Sequence, residues 1–367
     1  MSKKIKYYSL DNILQHNAEY NVIYGERSFG KTTAVLRYGL LDHIKSGYKN
    51  QMAIIRRWET DLKGGNGQQM FDGIIKLNWV YDFTEGHYNS IYYYSQRWYL
   101  CYYNDKGEKL EQAEEPFAYG FSITSEEHYK STSYPNIKTI LFDEFITRTY
   151  YLPDEFVKFQ NLLSTIIRLR DDVKIFMCGN SINKYCIYFN EMGLTNVKQQ
   201  KQDTIDVYSY GDSTLKVAVE YTGNSNSKNK ASNKYFAFNN PKLKMITDGG
   251  WEIDIYPHLP HRYVPKDVKY KFYICFDRDM LQGNIIVVEG EIFIYLHRKT
   301  TPIRDDNRQL VYQQHTDYRR NYRISILKPF SKLEKKIYEL ISKDKIFYQD
   351  NEVGEIFSNY LKWCRVH

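Results

Sequence analysis

A glycine-containing segment near the start of the chain restricts the possible folds more than any other stretch. It separates two glycines by four residues and follows the second with Lys and Thr, over Gly25 to Thr32. The apolar run Asn21 to Tyr24 before it is typical of a buried strand, and Lys31 to Leu41 after it has the pattern of a helix. A strand, this loop and a helix in that order predict a phosphate-binding loop. The alternative, an ordinary glycine turn before a helix, gives no reason for Lys and Thr at those positions.

The residue types in this loop suit the chemistry of phosphate binding. Glycine adopts backbone conformations closed to other residues, so successive N–H groups can surround phosphate oxygens at a helix N-terminus. The ammonium group of Lys31 is expected to bind the β- and γ-phosphates, and the Thr32 hydroxyl to ligate Mg²⁺. The predicted nucleotide-binding residues of the segment are Gly25, Glu26, Arg27, Ser28, Phe29, Gly30, Lys31, Thr32 and Thr33.

A second segment ends in two carboxylates. Thr139 to Phe145 has the apolar character of a buried strand and carries Asp143 and Glu144 near its end. In a phosphoryl-transfer enzyme, Asp143 would hold Mg²⁺ through water and Glu144 would polarise the attacking water. Asp-Glu after a strand is also a common turn, and for the pair in isolation that is the better interpretation. Its position after the phosphate-binding loop favours the catalytic one.

Two other strands end in polar residues. Arg56 and Arg57 follow the apolar run Gln51 to Ile55, and Asn180 closes the run that begins at Lys174. Parallel α/β sheets place their ligands at this edge, so the arginines could reach nucleotide or DNA phosphates. Asn180 could sense a γ-phosphate or orient water. Solvated arginines and a turn-forming asparagine are the structural alternatives.

Composition narrows the class of protein. The formal net charge of +7 is compatible with a polyanionic partner without demanding one. The five cysteines are odd in number and widely spaced, which indicates a reducing compartment without disulfides or structural zinc. Because no apolar run reaches about 18 residues, we expect a soluble intracellular protein that contacts no membrane.

Further along, the aromatic-rich stretch Phe71 to Phe121 predicts inserted antiparallel strands, with packing favoured over base stacking. A helix is predicted over Glu155 to Ile167, and Arg168-Leu169-Arg170 follows it. After the polar break Gly223 to Lys230, a strand-rich unit begins at Tyr270 and ends in two helical patterns.

Together these features resemble the DNA-packaging ATPases of small short-tailed bacteriophages with protein-primed linear genomes, a branch of the viral terminase-like ring motors. The segments that carry the resemblance are Gly25 to Thr32, Arg56-Arg57, Lys130 to Asn136, Thr139 to Phe145, Arg168 to Arg170 and the strand ending in Asn180. The first half of the chain matches well, and the second half matches only as a pattern of elements.

The resemblance implies an α/β P-loop NTPase domain of the additional-strand, catalytic-glutamate type over residues 1–212. A linker over 213–262 and a ribonuclease-H-like α+β domain over 263–367 would follow. The implied cofactors are ATP and Mg²⁺. The implied partners are double-stranded DNA, further copies of the chain in a pentameric ring, and the phage portal or connector. A structural packaging RNA is left open, and the place of action is the host cytoplasm, with transient docking on the procapsid.

The resemblance also implies residue roles. Arg168 matches the arginine finger that reaches the neighbouring subunit's nucleotide, and Arg170 is the second choice for that role. Asn180 matches a coupling residue, Arg56 an arginine near the nucleotide, and Lys130 falls on the loop expected to face DNA in the pore.

Two other functions remain possible on the sequence. One is a terminase-type enzyme with an active metal-dependent nuclease, which needs carboxylates that converge on paired ions. The available carboxylates are Asp277, Asp279, Glu289, Asp350, Glu352 and Glu355. The resemblance favours a vestigial nuclease instead. The other is a regulatory P-loop ATPase without translocation.

Overall fold

The computed structural model describes residues 8–27, 29–147, 151–180, 186–211, 213–223, 256–259, 262–288, 290–304 and 307–366. The chain divides into two compact units, each built on its own sheet. Within the described residues, no helix is both long enough and apolar enough to cross a bilayer.

The first unit begins with the short helix α1 and continues as alternating strands and helices. Its helices are α1 (Asp11–Leu14), α2 (Lys31–Lys45), α3 (Gly64–Gln69), α4 (Asp72–Lys76), α5 (Trp79–Phe83), α6 (Glu155–Ile167) and α7 (Ile187–Glu191). Its strands are β1 (Tyr20–Gly25), β2 (Gln51–Arg56), β3 (Ser90–Tyr94), β4 (Arg97–Tyr103), β5 (Lys109–Gln112), β6 (Ala118–Ser122), β7 (Ile137–Asp143), β8 (Lys174–Asn180), β9 (Thr204–Ser209) and β10 (Lys216–Thr222). Two 3₁₀ turns, Glu59–Leu62 and Ile123–Tyr129, complete it.

The strand order explains why the polar strand ends meet. The sheet runs β3-β4-β6-β2-β7-β8-β1-β10-β9, with β5 paired to β4. Strands β6, β2, β7, β8, β1 and β10 pair in parallel, so their carboxyl ends share one edge. One strand, β8, lies between β1 and the acidic strand β7. This insertion is the additional strand predicted from the resemblance, and the α/β P-loop fold is confirmed.

Apolar packing fixes helix α2 against the sheet. Val35, Leu36 and Leu40 are buried in one core with residues of the neighbouring strands, among them Ile54 and Leu141. Burial of this helix face holds its N-terminus, and with it the phosphate-binding loop, at the carboxyl edge of the strands.

The aromatic insertion packs as expected. Strands β3, β4 and β5 form antiparallel pairs, and Trp98 of β4 is fully buried. Its ring meets Phe71 at 5.6 Å between centroids, and its indole N–H donates to the Gly67 carbonyl oxygen at 2.9 Å. The rings thus fill the core of the first unit.

The second unit is an α+β fold. Its strands are β11 (Val268–Phe276), β12 (Asp279–Val288), β13 (Glu291–Arg298), β14 (Leu310–Gln313), β15 (Tyr322–Arg323) and β16 (Ile346–Tyr348), and its helices are α8 (Lys332–Ser342) and α9 (Asn351–Val366). Strands β11 to β13 form an antiparallel meander, and β14 and then β15 add in parallel on the other side of β11. Strands followed by helices match the ribonuclease-H-like prediction.

The first sheet extends past residue 212, where the predicted ATPase domain ends. Strand β10 pairs in parallel with β1 and antiparallel with β9. No helix separates β9 from β10. The sequence pattern of alternating strands and helices, which indicated the earlier strands, therefore gave no sign of β10. Most of the predicted linker, 224–255 with 260 and 261, lies outside the described residues, and the linker stays a prediction.

Candidate nucleotide site

The phosphate-binding loop depends on glycine at both of its ends. Gly25 has φ 148°, and a Cβ there would lie 2.1 Å from the Thr222 carbonyl oxygen, because β10 runs directly alongside. Gly30 has φ 88° and caps α2. A side chain at either position would strain the turn. Ser28 lies outside the described residues.

Lys31 is buried at the first position of α2. Its Nζ donates to the Gly25 carbonyl oxygen at 3.4 Å, to the Glu26 carbonyl oxygen, and to Asn180 Oδ1 at 3.4 Å. Burial lowers the pKa of Lys31 to about 8, against the opposing pull of nearby negative charges that include the Asp143 carboxylate. The structure therefore brings Lys31 and Asn180 together through the pairing of β1 with β8.

Thr32 and Asp143 meet across the sheet edge. The Thr32 hydroxyl donates to Asp143 Oδ1 at 2.6 Å, and Asp143 is buried with 8% of its surface exposed. Hydroxyl and carboxylate oxygens are hard ligands of the kind that Mg²⁺ prefers. The two predicted magnesium residues are thus adjacent, and their donor atoms fit the ion.

Arg56 faces both predicted acidic residues. Its Nη1 donates to Asp143 Oδ2 at 2.5 Å and its Nη2 to Glu144 Oε2 at 2.9 Å. Glu144 has φ 59° and keeps 61% of its side chain exposed. Asp61, which the sequence did not single out, lies 3.7 Å from the Arg56 Nε. Arg56 is therefore the shared ion-pair partner of these carboxylates in this conformation.

Arg57 has a different environment from its neighbour. Its Nε and Nη2 bind the buried carboxylate of Glu155 at 2.9 Å each, and Tyr188 donates to the same carboxylate at 2.8 Å. Arg57 also donates to the carbonyl oxygens of Glu144 and Phe145, at 3.3 and 3.0 Å. Arg57 thus links the backbone of the turn at Glu144 and Phe145 to the buried Glu155. Nothing in the sequence indicated that Glu155, 98 positions away, would be the partner of Arg57.

The two arginines after α6 also differ. Arg168 is exposed, has φ 55°, and donates to the Thr132 carbonyl oxygen at 3.0 Å. Arg170 donates to carbonyl oxygens of the loop before β7 and of the end of α6: those of Tyr134, Pro135, Ile137, Ile166 and Ile167. The Arg170 guanidinium is committed to these internal contacts, whereas Arg168 projects toward solvent.

Lys130 lies at the end of the 3₁₀ turn Ile123–Tyr129, and its ammonium group binds Glu127 at 2.6 Å. Its side chain is 51% exposed. The hydrogen bonds of Lys130, Arg168 and Arg170 thus go to the region 127–137 and the end of α6, away from Lys31 and Asp143.

The carboxylates considered for a nuclease have other contacts in the second unit. Asp279 and Glu352 both bind Arg298, at 2.9 and 3.1 Å. Asp350 accepts from the Val353 backbone N–H at 2.8 Å, and Glu355 accepts from the Tyr256 hydroxyl at 3.1 Å. Asp277 follows β11, and Glu289 lies outside the described residues. In the parts of the chain that the structure describes, no group of three or more metal-ligating side chains comes together.

The lowered pKa of Lys31 predicts that nucleotide affinity depends on pH. Between about pH 7 and about pH 9 the buried amine loses its charge, so the dissociation constant for ATP should rise about 10-fold. Calorimetric titration with ATP across this range measures the effect. The control is Lys31→Arg, whose charge does not titrate there. An equally steep profile in that variant would assign the pH dependence to another group.

A strand, a phosphate-binding loop, a helix and an acidic strand end, with one strand inserted between the two, define the additional-strand class of P-loop NTPase folds. The profile of the podovirus DNA encapsidation protein (Gp16) family matches residues 102–327. That match exceeds half of the 367 residues, and the chain belongs to this family.

Individual relatives agree with this assignment. The "DNA packaging protein" of Bacillus phage phi29 is 27% identical over 193 residues, which are 51% of this chain and 51% of the relative. That of Bacillus phage B103 is 26% identical over 184 residues, 48% of this chain and 50% of the relative. The chain spans about half the length of the curated relatives it matches.

Two solved structures share the fold over nearly the whole chain. A chain of the Phi-29 viral genome packaging motor assembly has a TM-score of 0.55 at 19% identity, covering 96% of this chain and 99% of its own length. The Phi-28 gp11 DNA packaging motor has a TM-score of 0.54 at 17% identity, covering 99% of both chains. At these identities the likeness concerns the fold alone.

Proposed function

We propose that this protein is an ATP-hydrolysing motor that translocates double-stranded viral DNA into a preformed capsid. The observation that carries the proposal is the meeting of Lys31, Thr32 and Asp143 at one sheet edge, in a chain of the DNA encapsidation family. The chain's similarity to the DNA packaging proteins of phages phi29 and B103 supports it.

The residues of the site divide the chemistry of ATP hydrolysis between them. Lys31 and the loop N–H groups bind the phosphates, and Thr32 with Asp143 would hold Mg²⁺. When bound, that ion neutralises charge on the β- and γ-phosphate oxygens. Glu144 orients and polarises the attacking water, and Asn180, which touches Lys31, contacts the γ-phosphate.

Arg56 controls when Glu144 is available. In the present conformation the Arg56 guanidinium binds Glu144 and Asp143 together. The guanidinium thus takes up one oxygen of the Glu144 carboxylate that would otherwise accept a hydrogen bond from water. Glu144 therefore acts on water once the charge of Arg56 has turned to the phosphates, as expected for an arginine near the nucleotide.

The motor is expected to work as a ring. Arg168 is exposed and would leave its hydrogen bond with Thr132 to reach the nucleotide of the next subunit, where it would stabilise transition-state charge. A homopentamer docked on the portal of the procapsid, in the host cytoplasm, is the arrangement that the family resemblance implies. Lys130 is the proposed DNA contact, and a packaging RNA is left open as a further partner.

The test is ATP hydrolysis by the purified chain with and without double-stranded DNA. A motor that grips phosphates irrespective of sequence should be stimulated by any duplex, and stimulation should fall steeply between about 50 and about 200 mM salt. Negative-stain images with DNA and a non-hydrolysable analogue should show rings. Hydrolysis that ignores DNA, together with an absence of rings, would indicate a regulatory ATPase instead. Nicking of plasmid with Mn²⁺, lost in Asp277→Ala, would indicate a nuclease.

A further inference from the structure

We propose that the base and ribose of the nucleotide bind in a cavity between the segment Tyr8 to Leu14 and the outer face of α2. This inference rests on the proposed function, since it extends the phosphate site to the rest of the same ligand. The cavity measures about 330 Å³, and Gly30 and Thr33 of the phosphate-binding loop form part of its wall. Ligand sites in proteins begin at about 300 Å³, so the cavity is large enough to hold a nucleoside.

Helix α2 has one face toward the sheet and another toward the cavity. Lys31 and Val35 point to the sheet and are buried there. Thr33, Arg37 and Leu41 recur every four residues and line the cavity, with Ala34 and Tyr38 beside them. Residues four apart lie on one face of a helix, so this row continues directly from the loop that holds the phosphates.

On two other sides of the phosphate-binding loop, residues that the structure describes lie close by. Toward β10, the backbone of Thr222 lies so close to Gly25 that no side chain fits between them. Toward β7 and β8, the groups proposed for Mg²⁺ and the γ-phosphate follow, Asp143 and Asn180. A nucleoside that extends away from the γ-phosphate therefore leaves the loop on the side of Thr33, where the cavity lies.

The contacts of Tyr8 anchor the wall opposite α2. Tyr8 is buried, and its backbone N–H donates to the Phe29 carbonyl oxygen at 3.1 Å. Its hydroxyl donates to the buried carboxylate of Glu220 at 2.5 Å, and its ring packs against Phe29 at 5.9 Å between centroids. These contacts attach the N-terminal segment both to the loop and to the sheet, so binding a nucleoside costs little ordering of the chain.

The lining suits an aromatic ring with polar edges. Leu14, Tyr38 and Trp79 supply apolar and aromatic surface, and the Arg37 guanidinium lies 5.3 Å from the centroid of the Trp79 ring. Aromatic and guanidinium planes stack on nucleobases. At the rim, the Asp11 carboxylate accepts from the Ser9 hydroxyl at 2.6 Å and offers an acceptor for an amino group of a purine.

The test separates the contribution of the base to the binding affinity from that of the phosphates. Calorimetric titrations of the full chain, with Mg²⁺, compare ATP with inorganic triphosphate, which has no base. In Ala34→Trp, which fills the cavity, we expect ATP to bind about 10- to 100-fold more weakly while the affinity for inorganic triphosphate stays within about twofold. Lys45→Trp, at the exposed far end of α2, is the matched control and should change neither affinity. Leu14→Trp fills the cavity from the opposite wall and serves if Ala34→Trp does not fold.

Each outcome decides the proposal. Equal losses for both ligands in the folded cavity-filling variant, or no loss for either, would place the base elsewhere and overturn it. ATP binding that depends on Lys31 but ignores Ala34→Trp would overturn the base pocket alone and leave the proposed function standing. A wild-type chain that binds neither ATP nor inorganic triphosphate would contradict the proposed function as well.

Discussion

Asp143→Asn is expected to lower the rate of ATP hydrolysis by about 10³-fold, because the carboxamide cannot supply the negative oxygen proposed to hold Mg²⁺. The stabilisation of phosphate charge by a bound ion amounts to several kcal/mol, and about 4 kcal/mol corresponds to a factor of about 10³. The side chain keeps its size, and its oxygen can still accept from Thr32, so the fold should persist. Phosphate release at saturating ATP, measured over a series of Mg²⁺ concentrations, gives the effect.

The matched control for this prediction is Asp61→Asn. Asp61 also lies beside the Arg56 guanidinium, at 3.7 Å, but it is not at a strand end and has no contact with Thr32. Its substitution should change turnover by less than about twofold, because the pair is long, at 3.7 Å, and partly open to solvent. If Asp143→Asn retained turnover within about tenfold of the wild type, Asp143 would not be the magnesium residue.

Arg168→Ala is expected to lower hydrolysis by about 10³-fold or more in assembled rings, the loss typical of a missing arginine finger. Because the finger would act on the neighbour's nucleotide, an Arg168→Ala subunit should impair hydrolysis in the adjacent subunit of a mixed ring. Mixing Arg168→Ala with Lys31→Ala subunits should restore activity, since a ring then contains interfaces that pair an intact Lys31 with an intact Arg168. Steady-state hydrolysis at concentrations that form rings, across mixing ratios, measures both effects.

Arg170→Ala is the matched control for the finger. Its guanidinium binds carbonyl oxygens of the loop before β7 and of the end of α6, so its loss should lower the melting temperature. Mixtures of Arg170→Ala with Lys31→Ala should gain no activity beyond the sum of their parts. Recovery with Arg170→Ala and none with Arg168→Ala would exchange the two assignments.

The phosphate-binding loop and the acidic strand end could be predicted because their chemistry demands particular residue types at fixed places. The sequence could not show that Arg56 and Arg57 have different environments. Neighbouring side chains at a strand end point to opposite faces, so one reached the carboxylates of the site and the other the buried Glu155. Which face each takes depends on the register of β2 with β7, and pairing between distant strands leaves no local signal.

The contacts of Arg168 and Arg170 could not be predicted from the sequence for a related reason. Their partners are backbone carbonyl oxygens of a loop some 33 to 36 positions earlier in the chain. Every residue carries such an acceptor, so no residue type marks it. The structure was needed to separate an arginine that anchors a loop from one that faces outward.

Helix α6 joins two places to which we assign different proposed roles in catalysis. Its first residue, Glu155, is fastened through Arg57 to the backbone of Glu144, and the residue that follows its last turn is Arg168. Thirteen helical residues span about 20 Å and resist bending. In the proposed ring, a small tilt of α6 set by one subunit's acidic turn would therefore displace, over that length, the Arg168 side chain offered to the adjacent subunit. Such a displacement would give the subunits of the proposed ring a way to hydrolyse ATP in sequence.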